Sequence, residues 1–488
     1  MLPPIMFPVE IAGISLRKIS ALALIVATAG LTACATVPPS TTDAPVKAES
    51  LAADQSLKGE AGAWPAREWW KGFNDPQLDA LMDEAFKGSP DLKAAQARVA
   101  SAEAFYDRIH AVLSPTVTAN GSVAETKSSL NMGFPDAFKD FLPSGYLPEG
   151  RFTLDASYDI DLWGKSHAAL RGAVGQARAA QLEAEVARQA LSQQIARAYV
   201  ELDRLYQERD DLNEIKRGAD MRVDLIQARL DHNLDTMDVL LRAQDDQAQV
   251  NQRLAAIDGA IRIQGNLIAA LSGAGPDRGL QITRPALKPA GIDTLPDDVR
   301  ADLLGRRPDV QAARLRVEAQ AENIKYTRAD FYPNVKLNAS WGIQSIGLQY
   351  LGDPKSQVGT IGPAVSLPLF NGGNLRAAYR SSEADYNAAV ATYDKTLTQA
   401  LQQVADAAAN SRSTAGQLKE AARRVGAAQT TYDLSKARFA KGLATKVDVL
   451  QAHSALVSAE LEETNLKAQA YNNRIAFIAA LGGGFQPQ

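Results

Sequence analysis

The histidine and carboxylate side chains are the groups of this chain that could bind a metal or catalyse acid–base chemistry. The four histidines are His110, His167, His232 and His453. They are spread over the sequence without the short spacings of metal ligands. The acid pairs Asp210-Asp211 and Asp245-Asp246 lie in helical charge patterns, which are typical of a solvated helix face. Because the chain also lacks a Gly-x4-Gly-Lys-Ser/Thr loop and a Gly-x-Ser-x-Gly motif, we predict neither an enzyme nor a metal site.

The single cysteine, Cys34, is predicted to carry a covalent lipid. Arg17 and Lys18 precede a short apolar run that ends in Leu31-Thr32-Ala33-Cys34, which resembles a bacterial lipobox. The run is too short for a comfortable membrane-spanning helix. A buried, inert cysteine is the alternative, but the polar, proline-rich residues that follow do not suit a protein core. The lipid is the only cofactor expected, and Ala35 in place of an aspartate indicates sorting to the outer membrane.

Composition indicates long helices and no nucleic-acid partner. The 488 residues carry a net charge of −4, and the sequence pI is ≈ 5.8. Aromatic residues make up only 6% of the chain. A low aromatic content with abundant alanine, glutamine and leucine favours closely packed helices over a thick globular core.

The chain contains an internal duplication. The segment SPDLKAAQARV at 89–99 returns as RPDVQAARLRV at 307–317, and this register, in which position 308 corresponds to position 90, persists for over thirty positions. Three further pairs continue it with small changes of offset: 161–173 with 368–380, 228–240 with 437–450, and 266–273 with 476–483. Each half is therefore expected to be one structural unit.

Each repeat is predicted to begin with a helix followed by two strands. The helices at 90–112 and 308–330 precede Pro115 and Pro333, and proline cannot continue the helical hydrogen bonds. Two runs of alternating apolar and polar residues follow each proline. This alternation is typical of strands with one apolar face, either in a half-buried sheet or in a membrane β-barrel.

Long coiled-coil helices are predicted after the strands. The segment from about 165 to 230 contains no proline, and at 1.5 Å per residue it would form a helix about 100 Å long. Apolar and small residues recur every three or four positions along it and along the segment that begins at 397, as in a coiled-coil seam. Shorter helices at 238–271 and 447–481 are expected to return along the long ones.

Four strands per chain leave two arrangements open. The strands either form a soluble hairpin layer, or several copies of the chain pool them in one membrane barrel. A bacterial membrane barrel has at least eight strands, and an open sheet edge cannot face lipid. Pooling would also explain the long helices, because a ring of helix pairs would extend the barrel as a hollow cylinder.

Several segments resemble the TolC-type outer-membrane efflux proteins, in particular their lipoprotein branch. These segments are LLGRRPDVQAA (303–313), ADFYPNVKL (329–337), SLPLFNGGNLRAA (366–378) and the pair 228–240 and 437–450. The resemblance implies an α+β membrane protein, in which three copies each contribute four strands to a twelve-stranded barrel continued by an α-helical barrel. It implies a homotrimer, a periplasmic adaptor and an inner-membrane RND-type transporter as partners, and an outer-membrane location extending into the periplasm.

The resemblance also assigns candidate functional residues. Asp448 matches one of two acidic residues at the periplasmic gate, while Gln451 stands where the second would be; Asp238 is predicted to be the counterpart of Asp448 in a first-repeat turn one residue shorter. A solvated carboxylate at a helix start is the alternative for Asp448. The candidate contacts with the adaptor and pump are Phe439, Gly442, Leu443 and Leu234. Asn371, Gly372 and Gly373 are expected at a strand–helix junction, with Asn374 as the helix N-cap.

Six segments follow from this reading. They are a lipoprotein signal peptide at 1–33, a lipid-anchored tail at 34–75, the first repeat at 76–273, a linker at 274–300, the second repeat at 301–483 and a C-terminal tail at 484–488. The predicted function is that of the outer-membrane exit duct of a tripartite efflux system for small molecules. An exit duct for type I polypeptide secretion is the near alternative, and a lipid-anchored periplasmic coiled-coil scaffold is a more distant one.

Overall fold

The computed structural model describes residues 36–53, 55–58, 62–127, 129, 145–288, 295–296, 303 and 305–486. Cys34 and the predicted signal peptide lie outside the described residues. The chain divides into two compact units. The first comprises Met1–Asp43, Ala102–Gln176 and Arg316–Val390, and the second comprises Ala44–Ser101, Ala177–Leu315 and Ala391–Gln488.

The elements repeat in the predicted order. The helices are α1 (Pro76–Gly88), α2 (Pro90–Ala111), α3 (Lys165–Asp231), α4 (Met237–Leu271), α5 (Pro276–Gly279), α6 (Pro308–Ala329), α7 (Asn374–Ala440) and α8 (Lys446–Ala480). The strands are β1 (Thr116–Thr126), β2 (Leu147–Ile160), β3 (Asn334–Ile346) and β4 (Gln357–Ser366). Short 3-10 helices lie at Ala48–Ser50, Trp69–Phe73, Leu348–Tyr350 and Pro354–Ser356. The predicted helices and strands of both repeats are confirmed.

The four strands form one antiparallel sheet within the first unit, in the order β1-β2-β3-β4. One face is apolar: Leu154 pairs with Trp341 across β2 and β3, and both side chains are exposed, by 49% and 62%. The other face is polar: Asp155 accepts a hydrogen bond from Asn120 Nδ2 at 2.7 Å and pairs with Ser340 in the register. Neither β1 nor β4 has a second neighbour among the described strands, so the sheet has two open edges.

The long helices are paired with shorter ones into two hairpins. Helices α3 and α7 each have 67 residues, and α4 and α8 each have 35. In the second unit, α3 and α4 are joined by a hydrogen bond from Gln264 Nε2 to the Ala198 carbonyl at 2.8 Å. Asn473 Nδ2 of α8 donates to Thr414 Oγ1 of α7 at 2.8 Å. The predicted seam is confirmed along α3 and in the first part of α7, where residues such as Ile195 and Leu397 are fully buried. Toward the end of α7 its positions are exposed, as at Ala422 and Phe439.

The second unit has its own aromatic core, to which the segment before α1 contributes. Three residues of the predicted N-terminal tail are buried in this core: Trp69, Trp70 and Phe73. Asp75 caps α1, because its side chain accepts a hydrogen bond from the Gln77 backbone N–H at 2.9 Å. The tail at 34–75 is therefore in part an integral component of the fold.

Candidate functional site

The two helix hairpins end in turns of the same length and geometry, His232–Thr236 after α3 and Lys441–Thr445 after α7. Asn233 and Gly442 have φ angles of 60° and 72°, the left-handed conformation that ends many helices. The next residue of each turn, Leu234 or Leu443, donates its backbone N–H to a carbonyl five residues back, at 2.8 and 2.9 Å. Both leucine side chains are exposed, by 65% and 73%.

The predicted one-residue difference between these turns is wrong. The stretch of chain from the end of α3 to the start of α4 is as long as that from the end of α7 to the start of α8. Thr445 therefore corresponds to Thr236, and Asp448 corresponds to Val239 rather than to Asp238. The sequence similarity of Asp-Val-Leu in both repeats suggested a gap, whereas the threonine that begins each helix sets the actual register.

Asp448 is the acidic partner of a capping box at the start of α8. The Thr445 hydroxyl and the Thr445 backbone N–H both donate to Asp448 Oδ2 at 2.7 Å. The Asp448 backbone N–H donates back to the Thr445 hydroxyl oxygen at 3.2 Å. The two hydrogen bonds from Thr445 lower the pKa of Asp448, so this exposed carboxyl group is held ionised. The geometry thus gives Asp448 a local structural role at the helix start.

The other predicted gate residues have different surroundings. Asp238 lies at the second position of α4, accepts a hydrogen bond from the Thr236 hydroxyl and lies 3.7 Å from Arg242 Nη2. The Thr236 hydrogen bond is the main cause that lowers the pKa of Asp238. Gln451 is exposed on α8, one turn beyond Asp448. Phe439 is 43% exposed, and Lys446 Nζ lies 5.8 Å from its ring centroid.

The predicted strand–helix junction requires its two glycines. Gly372 and Gly373 have φ angles of 59° and 89°, and no heavy atom lies within 4 Å of a Cβ built on either one. Backbone conformation, and not lack of space, therefore favours glycine here. Asn371 Oδ1 accepts the Gly373 N–H at 3.2 Å. Asn374 is the first helical residue and not the N-cap, because the Gly373 carbonyl already accepts the Ala377 N–H.

The first repeat has a matching junction, which the predicted pairing of 161–173 with 368–380 contains in a register shifted by two residues. Gly164 has a φ of 71°, and its carbonyl accepts the Ala168 N–H at 2.9 Å at the start of α3. Asp161 Oδ2 accepts the His167 backbone N–H at 3.0 Å and lies 2.6 Å from His167 Nδ1. The signal was present in the sequence, since the offset that relates the two hairpin turns also aligns Gly164 with Gly373.

A cavity of about 410 Å³ lies in the first unit where strands meet helices, and we call it the junction cavity. Its wall includes three aromatic side chains, Trp163, Tyr326 and Tyr332. It also includes two ion pairs: Lys165 Nζ lies 2.5 Å from Asp330 Oδ1, and Lys336 Nζ lies 3.3 Å from Asp159 Oδ1. Sequence patterns do not reveal this cavity, because its wall combines residues from both repeats.

Comparisons with known proteins place these features in one family. The family model of the outer membrane efflux protein matches residues 81–274 and 299–483. The chain is 29% identical over 446 residues to the multidrug resistance outer membrane protein MdtP of Escherichia coli (strain K12), covering 90% of this chain and 91% of MdtP. It is 34% identical over 352 residues to the fusaric acid resistance protein FusA of Burkholderia cepacia, covering 70% of this chain and 64% of FusA.

A solved structure gives the same result. The crystal structure of the outer membrane protein VceC from Vibrio cholerae matches with a TM-score of 0.79 at 36% sequence identity, covering 87% of this chain and all of that one. The sequence match and the structural match both extend over most of the chain and include both repeats. The chain belongs to the outer membrane efflux protein family.

Proposed function

We propose that the chain is the outer-membrane exit duct of a tripartite efflux system, which passively conducts small molecules delivered by an inner-membrane pump through a periplasmic adaptor. The observation that carries this proposal is the two-faced sheet with two open edges. MdtP is named for multidrug resistance and FusA for fusaric acid resistance, and both names favour small toxic molecules as the cargo.

The sheet needs further strands before it can enter a membrane. Its apolar face suits lipid, but the unpaired backbone groups of β1 and β4 would each cost several kcal/mol in hydrocarbon. Closure with the strands of other copies satisfies both edges, and three copies give the twelve strands that the family resemblance implies. The polar face, with Asp155 and Asn120, then lines the interior of the barrel.

Exposed apolar side chains on α4 support association of copies. Met237, Leu241, Ile263 and Leu267 are 57%, 57%, 68% and 46% exposed in the single chain. Apolar surface of this kind on a helix in water favours burial against a partner. We assign this surface to the neighbouring copies of a homotrimer.

The N-terminal segment supports a lipid anchor at Cys34. The Thr41 N–H and hydroxyl donate to Glu383 Oε1 and Oε2 at 3.0 and 3.2 Å, and the Asp43 N–H donates to Asn387 Oδ1 at 2.8 Å. Glu383 lies nine residues into α7, a rise of about 14 Å. The seven residues from Cys34 to Thr41 span up to about 25 Å, enough to return to the strand–helix junction.

The anchor is tested by the variant Cys34→Ala. Mass spectrometry of the N-terminal peptide is expected to find a lipid on the wild-type cysteine and none on the variant. An anchoring role would be supported if the variant still exports dye but is present in the outer membrane in a smaller amount than wild type. An unmodified Cys34 in the purified wild-type protein would refute the assignment.

The gate is proposed at the hairpin turns, with Asp448 as its main charged group. Three copies would bring three Asp448 carboxylates into one ring, which favours cations and repels itself when narrow. Gln451, one turn further along α8, and Asp238 of the first repeat are assigned to the same region. Because Asp448 is also a helix cap, its charge and its capping role must be separated experimentally.

Two variants make this separation. Asp448→Asn removes the charge but keeps an oxygen that accepts the Thr445 hydrogen bonds, whereas Thr445→Val removes the hydroxyl and keeps the charge. Vancomycin sensitivity of cells that carry each variant measures leakage through the duct. Increased entry with Asp448→Asn alone supports a charge ring, and increased entry with Thr445→Val alone assigns the effect to helix capping. Unchanged entry with Asp448→Asn refutes the charged gate.

The exposed ends of the hairpins are the proposed contact with the adaptor and the RND-type pump. Leu234 and Leu443 present exposed apolar side chains there. Gly442 forms the left-handed turn before Leu443, and its N–H donates to the Phe439 carbonyl. Leu443→Asp is expected to reduce co-purification of the adaptor. Leu434→Asp is the matched control, because Leu434 is also exposed, by 55%, but lies within α7. Equal loss with both variants would contradict a contact specific to the turn.

Efflux itself is tested by deletion and rescue. Cells that lack the chain are expected to accumulate a fluorescent hydrophobic dye, and a plasmid copy is expected to reverse the accumulation. Unchanged dye together with loss of a polypeptide from the medium would instead establish the type I secretion alternative.

A further inference from the structure

Most strand residues of the junction cavity lie on the polar face of the sheet; Ile160, the last residue of β2, is the exception. Asp159 pairs with Lys336, and Asn334 pairs with Ser366, so each pair points to one side. This is the side of Asp155, because side chains alternate along a strand and directly paired residues share a face. In the proposed barrel the polar face lines the conduit. The junction cavity is therefore open to molecules passing through the duct.

Trp163 provides a fixed aromatic surface in this cavity. Its ring stacks on Tyr332 with centroids 4.8 Å apart and an interplanar angle of 22°. Its indole N–H donates to the Pro333 carbonyl at 2.8 Å. The side chain is nevertheless 51% exposed, so much of the ring surface remains available. A ring that is held on one side and open on the other is preorganised to stack with a flat ligand.

The charges of the cavity favour a cationic ligand. Its described wall carries three carboxylates, Asp159, Asp161 and Asp330, against two ammonium groups, Lys165 and Lys336. Both lysines are already paired with Asp330 and Asp159, and Asp161 contacts His167. The charged groups of the wall itself therefore sum to a net charge of −1. The open face of Trp163 adds to this preference, because the face of an aromatic ring attracts cations. The Tyr326 ring already has the Lys165 ammonium group 4.8 Å from its centroid.

We propose that the junction cavity is a binding site for planar aromatic cations, with Trp163 as the stacking residue. The inference rests on the proposed duct function, and it specifies a class of cargo that contacts the wall during passage. The cavity volume of about 410 Å³ is within the range of small-molecule sites, roughly 300–1,000 Å³. One aromatic stack and a weak charge preference imply modest affinity, which suits a site that must release its ligand.

The test is a fluorescence titration of the purified full-length protein in detergent with ethidium, a planar aromatic cation, after subtraction of a micelle blank. Trp163→Leu is expected to raise the Kd about tenfold, the upper range for losing one aromatic stack. Trp163→Phe keeps an aromatic face, and its Kd is expected to stay within about threefold of wild type. Trp341→Leu is the control on the apolar face, with no expected change.

Three results would overturn the site. The first is an ethidium Kd that Trp163→Leu leaves unchanged while circular dichroism verifies its fold. The second is an equal loss of affinity with Trp341→Leu. The third is equally tight, Trp163-dependent binding of the anionic 8-anilino-1-naphthalenesulfonate, which would exclude the cation preference. If Trp163→Leu fails to fold, Trp163→Met takes its place, because methionine also removes the aromatic face while keeping a large apolar side chain; the same tenfold rise in Kd is expected, and an unchanged Kd counts against the site.

The dye-accumulation experiment distinguishes this inference from the proposed function. Reversal of dye accumulation by the rescued chain, without ethidium binding to the pure protein, would overturn the site and leave the duct intact. Trp163-dependent binding without any effect of deletion on dye or secreted protein would leave the site and overturn the duct.

Discussion

Asp211 on α3 is a carboxyl group whose ionisation is opposed by its surroundings. Burial is the main cause, followed by the negative charges of Glu460, Asp210 and Glu208, and together they raise the pKa of Asp211 to about 6. Its Oδ2 atom is buried and has no hydrogen-bond partner among the described residues. Glu460 belongs to α8, so this repulsion acts between the two helix hairpins of the second unit.

The sign of the effect on stability follows from the raised pKa. The ordinary pKa of the group is 3.8, so between pH 4 and 6 the folded protein binds more protons at Asp211 than the unfolded chain does. Stability is therefore lost as pH rises through this window. A pKa raised from 3.8 to about 6 corresponds to roughly 3 kcal/mol at most, and solvent screening of this half-buried group reduces the value. Asp211→Asn is expected to stabilise the protein by about 1–2 kcal/mol at pH 8 and by nothing below about pH 4.

The assay is thermal unfolding of the full-length protein in detergent, followed by circular dichroism between pH 4 and pH 8. The difference in midpoint between Asp211→Asn and wild type is expected to grow with pH and then level off above about pH 6–7. Asp224→Asn is the control, since Asp224 lies on the same helix but is exposed. A gain that does not depend on pH, or an equal gain in the control, would refute the reasoning.

Three further outcomes are expected from the same unfolding assay. Gly373→Ala should cost about 1 kcal/mol because its φ is 89°, whereas Gly416→Ala, in the open interior of α7, should stabilise by up to about 1 kcal/mol; equal signs would contradict the conformational argument. Tyr199→Phe should cost about 1–3 kcal/mol because the buried hydroxyl donates to Asp75 Oδ2 at 2.8 Å, and an unchanged midpoint would argue against that hydrogen bond. Gly482→Ala should lower the midpoint, since its φ is 94° and a Cβ would lie 2.1 Å from a backbone oxygen; full tolerance would contradict the close packing.

The regular elements were predictable because their periodicity is strong. The absence of proline between 165 and 230 predicted α3 to within a residue or two, and the alternation around 152–162 predicted β2. The duplication then transferred each prediction to the other repeat. These patterns are local, so a single sequence suffices to detect them.

Features that depend on register or on distant contacts were not predictable. The alignment of Asp238 with Asp448 was wrong because it followed the shared Asp-Val-Leu sequence. The threonines that begin the two helices give the correct register. The burial of Trp69 and Trp70 depends on residues such as Ile195 and Ile475, which lie far along the chain. The junction cavity likewise exists only because the sheet brings β2 and β3 together.

The constant offset between the two helix hairpins has an evolutionary consequence. Every helix boundary from the start of α3 to the end of α4 precedes its counterpart in the second repeat by the same number of residues. The starts of α2 and α6 are separated by a larger number of residues. The stretch from α2 to α3 is therefore longer than the corresponding stretch from α6 to α7. Residues 127–146 connect β1 to β2, whereas only residues 347–356 connect β3 to β4. The strand region has accordingly absorbed the difference in length between the two repeats, whereas the hairpins have kept one length. Strand connections are the place to insert an epitope tag, while a heptad removed from one hairpin must also be removed from the other.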